Sequence, residues 1–144
     1  MTVDIKLYEL EYSNDEGKYR FKLPKGNGLV SGIDRLSQQV AKSLLTTPGT
    51  DLRFPHWGGG AESIPPIMHD TEEIQSSYLN SIMFAVSKVE QDIKNSQIVN
   101  PPPASETLMS LEVMDVELTD FDKVTLLLRI LTVERIASDV AIKL

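Results

Sequence analysis

The sequence predicts an α+β fold in which a small, mostly antiparallel sheet packs against two main helices, preceded by an N-terminal hairpin. Three observations carry this. Apolar and polar residues alternate near both ends of the chain, two internal stretches repeat apolar residues at helical spacing, and proline- and glycine-rich segments separate these regions. The length of 144 residues suits one domain, large enough to bury a core without metal or disulfide staples.

At the N-terminus Val3, Ile5 and Leu7 alternate with Asp4, Lys6 and Tyr8. Asn14 to Gly17 supply turn residues before Lys18 to Leu23, so residues 3–23 are expected to form a hairpin. A loop, Pro24 to Gly28, follows. Its lysine precedes the glycines instead of following them, which is not the spacing of a phosphate-binding loop. Ser31 is placed to cap a helix over 31–46, with Ile33, Leu36, Val40 and Leu44 on its core stripe and Asp34, Arg35, Gln38, Gln39 and Lys42 on the wet side. Pro48 cannot continue that helix, and Gly49 can adopt the left-handed conformation that finishes one.

A connector of little regular structure is expected over 47–69, where Pro65 and Pro66 hold the backbone extended. The longest element is predicted over 70–97. Asp70 or Thr71 opens it, Glu72 and Glu73 favour its positive end, and Ile74, Tyr78, Ile82, Ala85, Val86, Val89 and Ile93 form its apolar stripe. Such a helix is about 39 Å long at roughly 1.5 Å per residue, enough to outrun its own core and leave one end for a partner. Asn100 to Ala104 is a stiff spacer that cannot be helical.

The remainder, 107–144, reads as strands. Leu108 to Leu118 changes apolar parity between Val113 and Val116, predicting a bulge. Val124 to Val133 is apolar on nearly both faces, and Asp120 to Asp122 joins the two as a hairpin. Ile136, Ser138, Val140 and Ile142 then alternate with Ala137, Asp139, Ala141 and Lys143 as a last strand. Ile136, Val140 and Ile142 give it one apolar face, and no later element of the chain covers its outer side.

Fourteen basic against twenty-one acidic side chains give a net charge of -7 with no basic cluster, which argues against nucleic acid as a partner. No stretch is long and apolar enough to span a membrane, and the N-terminus lacks the apolar core of a signal peptide. The absence of cysteine excludes zinc-thiolate sites and thiol nucleophiles and fits synthesis in a cytosol. His56 and His69 have no second ligand at helical spacing, so neither a metal nor a cofactor is expected. No Gly-x-Ser-x-Gly elbow is present. A two-carboxylate glycosidase needs acids held across a cleft with separated pKa values, whereas Glu72, Glu73, Glu90 and Asp92 alternate with lysine and glutamine as a wetted helix face would. An enzyme is therefore not expected.

The connector carries the most specific pattern in the chain. Leu44, Leu45, Thr46, Thr47, Pro48 and Gly49, then Pro55, Trp57 and Gly58, place one bulky anchor on a bent backbone, which suits docking more than catalysis. At these intervals the residues resemble the signature of the small baseplate wedge proteins of contractile phage tails, a family shared with tailocins and type VI secretion baseplates. The sequence departs from that family at Thr50 and Asp51, where glutamate and arginine are common. It departs again at Glu90, Gln91, Asp92 and Ile93, where a glutamate-proline-arginine motif precedes isoleucine. The glutamate and isoleucine remain, but a forked guanidinium contact is replaced by a carboxylate.

The resemblance implies a structural subunit of the virion tail baseplate, assembled in the host cytoplasm and present in six copies. Its partners would be other wedge proteins, the tail sheath protein, and tube or hub proteins. In such a subunit an open strand margin starts the first sheath ring by strand augmentation while the long helix joins a core bundle. Pro48, Gly49, Pro55, Trp57, Gly58, Glu90, Ile136, Val140 and Ile142 are then the partner-binding candidates. The same fold is also reused by a bacterial anti-adaptor, so a small regulatory binding protein is the alternative reading. A lysozyme-like glycosidase ranks below it.

Overall fold

The computed structural model describes residues 4–5, 9–13, 18–22, 28–61, 64, 72–120 and 123–144. Its elements in chain order are β1 (Asp4–Ile5), β2 (Glu9–Ser13), β3 (Lys18–Lys22), β4 (Leu29–Val30), α1 (Gly32–Leu45), α2 (Glu72–Val99), a 3-10 turn (Ala104–Glu106), β5 (Leu108–Asp120), β6 (Lys123–Thr132) and β7 (Ala137–Lys143). The class is α+β. A three-stranded antiparallel sheet in the order β5-β6-β7 packs on the two helices, and β2 and β3 form the N-terminal hairpin.

The core lies between one face of that sheet and the helices. Val124, Leu126, Leu128 and Ile130 of β6 meet Leu36, Val40 and Leu44 of α1 and Ile82, Val89 and Ile93 of α2 in one buried cluster. β6 is central and buries every second side chain completely or nearly so, as the period of a strand dictates. The parity change in β5 is a register shift between Val113 and Asp115, so the predicted bulge is present. α2 is 28 residues long, about 42 Å at roughly 1.5 Å per residue. The caps expected at Asp70 or Thr71, and much of the connector beyond Ala61, lie outside the described residues.

Three local expectations are corrected. The first apolar alternation does not form one strand over 3–12, because Asp4 and Ile5 pair with Val30 and Leu29 and only Glu9 to Ser13 joins the hairpin. Gln38 is not on a wet side but is buried at 4 % exposure. Ser31 stands at the helix start in extended conformation, yet its side chain makes no capping bond. The Gly32 N–H donates instead to Glu106 Oε1 at 2.9 Å, 74 residues along the chain.

Candidate partner-binding site

The two margins of the main sheet differ in what their backbone groups meet. Thr132 N–H donates to the Ile136 carbonyl at 3.0 Å and Leu144 N–H to the Val124 carbonyl at 2.8 Å, and the register between these ends is unbroken. In an antiparallel ladder hydrogen-bonded residues alternate with non-bonded ones. Ser138, Val140 and Ile142 therefore turn their N–H and C=O toward β6. Ala137, Asp139, Ala141 and Lys143 turn theirs to the opposite margin, which pairs with no strand among the described residues. The β5 margin is occupied at two points, where Leu108 N–H donates to Gln97 Oε1 at 2.9 Å and Leu111 N–H to Glu90 Oε2 at 3.3 Å. Side chains of α2 thus take the place of a neighbouring strand at the start of β5, and nothing described does so along β7.

Of the partner-binding candidates Ile136, Val140 and Ile142, the apolar face they were expected to give the last strand is turned inward at Val140 and Ile142. Val140 and Ile142 are 3 % and 0 % exposed because their faces of the strand lie over the helices. Ile136 precedes β7 and is 40 % exposed. What β7 offers outward is the backbone and side chains of Ala137, Asp139 and Lys143, while Ala141 between them is covered at 5 % exposure. There Arg129 of β6 makes a forked contact with Asp139, Nε to Oδ1 at 2.8 Å and Nη2 to Oδ2 at 3.0 Å. That guanidinium holds the Asp139 carboxyl below the usual carboxylate range, and Asp139, with Glu112 adding to it, raises Arg129 further.

The connector folds into a closed bend. Gly49, at φ 91°, donates its N–H to the Pro55 carbonyl at 2.8 Å, and Trp57 N–H reaches the Phe54 carbonyl at 2.9 Å. The chain then returns against the end of α1, where Gly59 N–H bonds the Ser43 carbonyl and Gly60 N–H the Thr46 carbonyl. Carbonyls at the C-terminal end of the helix are satisfied in this way. Gly58, at φ 118°, is buried there, and a Cβ on it would lie 2.2 Å from the Thr46 carbonyl oxygen. Of the connector candidates, Pro48, Gly49 and Pro55 are exposed, Trp57 is half-buried, and Gly58 serves the bend from inside. Lys88 of α2 pins the segment by donating Nζ–H to the carbonyls of His56 and Gly58 and to Asp92 Oδ2. Between the bend at 51–57 and the last turns of α2 lies a groove of about 760 Å³.

Glu90 and Asp92 point to different neighbours. Glu90 pairs with Lys94 and reaches β5, whereas Asp92 pairs with Lys88 and borders the groove. Two positions apart on a helix they do not share one cleft, so they do not form the opposed pair that sugar hydrolysis uses. The side chains of Glu72 and Glu73, and His69, are outside what is described; His56 lines the groove. No cluster of three potential metal ligands occurs among the described residues, and no described helix is long and apolar enough to cross a membrane.

The outward face of α2 has an unusual composition. From Ser76 to Val99 its exposed residues are serine, asparagine, glutamine, leucine, methionine, phenylalanine, isoleucine and valine, with Phe84 at 74 % exposure, and none carries a charge. Depletion of charge on an exposed helix face is a property of surfaces that become covered.

Sequence reasoning missed Glu106. It is 2 % exposed, accepts from the Gly32 N–H, and takes Arg35 Nη1 at 3.0 Å on Oε2, tying the start of α1 to the junction between α2 and β5. Gln97 reinforces that junction by donating to the Glu106 carbonyl at 2.9 Å. Its one sequence signal was a lone acid after three prolines. Compared with family models, with curated proteins and with solved structures, the chain gives no match.

Proposed function

We propose that the protein is a structural subunit of a contractile-tail baseplate, one that starts the first sheath ring by lending the free margin of β7 to a strand of the sheath protein. The observation that carries this reading is the asymmetry of the sheet. The start of the β5 margin is occupied by Gln97 and Glu90, whereas four residues of β7, three of them exposed, direct their backbone groups away from β6. A strand added there gains main-chain hydrogen bonds, and its alternate side chains are selected by what lies beside Ala137, Asp139, Ala141 and Lys143. The uncharged face of α2 supports the second half of the reading, in which larger wedge proteins cover that helix. Six copies around the tail, each contributing one margin, follow from the family resemblance of the connector.

Deleting the last strand is a poor test, because Val140 and Ile142 belong to the core. Ala137→Pro with Lys143→Pro is better. Both residues are exposed and turn their N–H groups outward, so proline removes two donors from the free margin while the ladder to β6 keeps its bonds. The double variant is expected to keep its helical circular dichroism and its place among wedge proteins, yet to yield tails without sheath when mixed with tube, wedge and sheath proteins. Normal sheathed tails from a folded double variant would contradict the mechanism.

A further inference from the structure

We infer that the groove between residues 51–57 and the end of α2 receives an arginine side chain from an extended segment of a partner protein. This deepens the reading of the connector as a docking element and does not depend on the β7 margin. The groove, about 760 Å³, has an apolar wall from Phe54, Pro55 and Trp57, and Val99 stands opposite. Phe54 is 63 % exposed and Val99 77 %. The aromatic faces suit the planar guanidinium, which stacks on rings and is less strongly hydrated than an ammonium.

The electrostatics of the groove favour a cation on three counts. First, α2 ends with no basic residue in its last turn, so the negative end of its dipole is not countered by its own side chains. Second, the residues that would return N–H groups to the carbonyls of Gln97, Ile98 and Val99 are Pro101, Pro102 and Pro103, which have none. Those acceptors are left over by the covalent structure of the chain itself, and of the three residues Val99 borders the groove. Third, Asp51 lies on the same groove with Oδ1 engaged by the backbone N–H groups of Arg53 and Phe54 at 2.8 and 3.2 Å, and its Oδ2 makes no described bond. Asp92 is already answered by Lys88. Arg53 also lines the groove, exposed to solvent, and forms no ion pair among the described residues. An arriving guanidinium therefore meets the proline-orphaned helix end and one half-engaged carboxylate, with a forked donor geometry that can serve both.

Trp57 is the one tryptophan in the chain, so its emission reports the groove directly. The probes are three blocked peptides, acetyl-Leu-Arg-Val-amide, its citrulline counterpart with the same shape and no charge, and its glutamate counterpart. The arginine peptide is expected to change Trp57 emission saturably, at least about fivefold more tightly than the citrulline peptide, with no saturation by the glutamate peptide; close charge pairs support a difference of that size. Asp51→Asn keeps the oxygen that accepts from Arg53 and Phe54 but loses the charge, and is expected to bind at least about threefold more weakly. Asn95→Lys, on an exposed position of α2 at the groove, should weaken binding similarly by installing a competing cation. Equal response to arginine and citrulline peptides, or no saturable response to any, would overturn the inference. The Ala137→Pro, Lys143→Pro double variant should bind the arginine peptide as the parent does, which separates failure of this site from failure of the sheet margin.

Discussion

Glu106 closes two gaps with one carboxylate. The first N–H groups of a helix have no partner within it, and the residue at the cap position of α1 leaves this need unmet. One oxygen of Glu106 takes the Gly32 N–H and the other takes the Arg35 guanidinium, so a buried acid is compensated by a helix N-terminus and by a cation. Glu106→Gln keeps the size but sets an amide where two donors converge. The variant is expected to lose about 3 kcal/mol, as breaking a buried pair does, and urea unfolding should show a lower midpoint with unchanged slope. None of this was legible in the sequence, since nothing local marks contacts made across more than seventy residues. Val140 and Ile142 illustrate the opposite case. Their alternation was plain, but a period of two says that a strand has two faces and not which of them meets the helices.

At the level of elements, most of what periodicity can encode was recovered. Leu36, Val40 and Leu44 of the α1 stripe and Tyr78, Ile82, Ala85, Val86, Val89 and Ile93 of the α2 stripe are buried, the parity change marked the bulge in β5, and the C-terminal strands pair as expected. The pairing of β1 with β4 was missed because two-residue strands carry no period. The connector shows why glycine stands where it does. Gly58 holds a positive φ while its α-carbon presses on the last turn of α1, and Gly59 approaches Val89 and Leu44 almost as closely. Gly58→Ala must meet both the left-handed backbone penalty, roughly 1–2 kcal/mol, and a clash with the Thr46 carbonyl. A loss of at least about 2 kcal/mol in thermal or urea unfolding is expected, with Gly49→Ala costing less because a Cβ there meets open space. Equal losses at the two positions would show that close approach is not what Gly58 provides.

Taken whole, the molecule carries exposed charge on its other elements and leaves the outer face of α2 uncharged. The described charged side chains of α2 sit half-buried in pairs, Lys88 with Asp92 and Lys94 with Glu90, while the exposed face of the same helix is neutral. α2 occupies the start of one sheet margin, three exposed residues of the other turn their backbone outward, and a groove lies at the end of the long helix. These features suit a chain that completes itself by contact with others. Fold class was readable at this scale because two helical stripes and a terminal set of strands leave few ways to share one core. That α2 would occupy the start of the β5 margin was not readable, since it depends on where Gln97 and Glu90 reach once α2 has packed.

Amide hydrogen exchange on β7, in the free protein and in assembled tails, tests the central claim most directly. In the free protein the amides of the exposed residues Ala137, Asp139 and Lys143 should exchange quickly while those of Ser138, Val140 and Ile142 are protected by β6. In sheathed tails the first set should slow by at least about a hundredfold, as amides drawn into a stable ladder do. Outward amides that exchange equally fast in sheathed tails, or that are already protected in the free protein, would contradict strand augmentation at this margin.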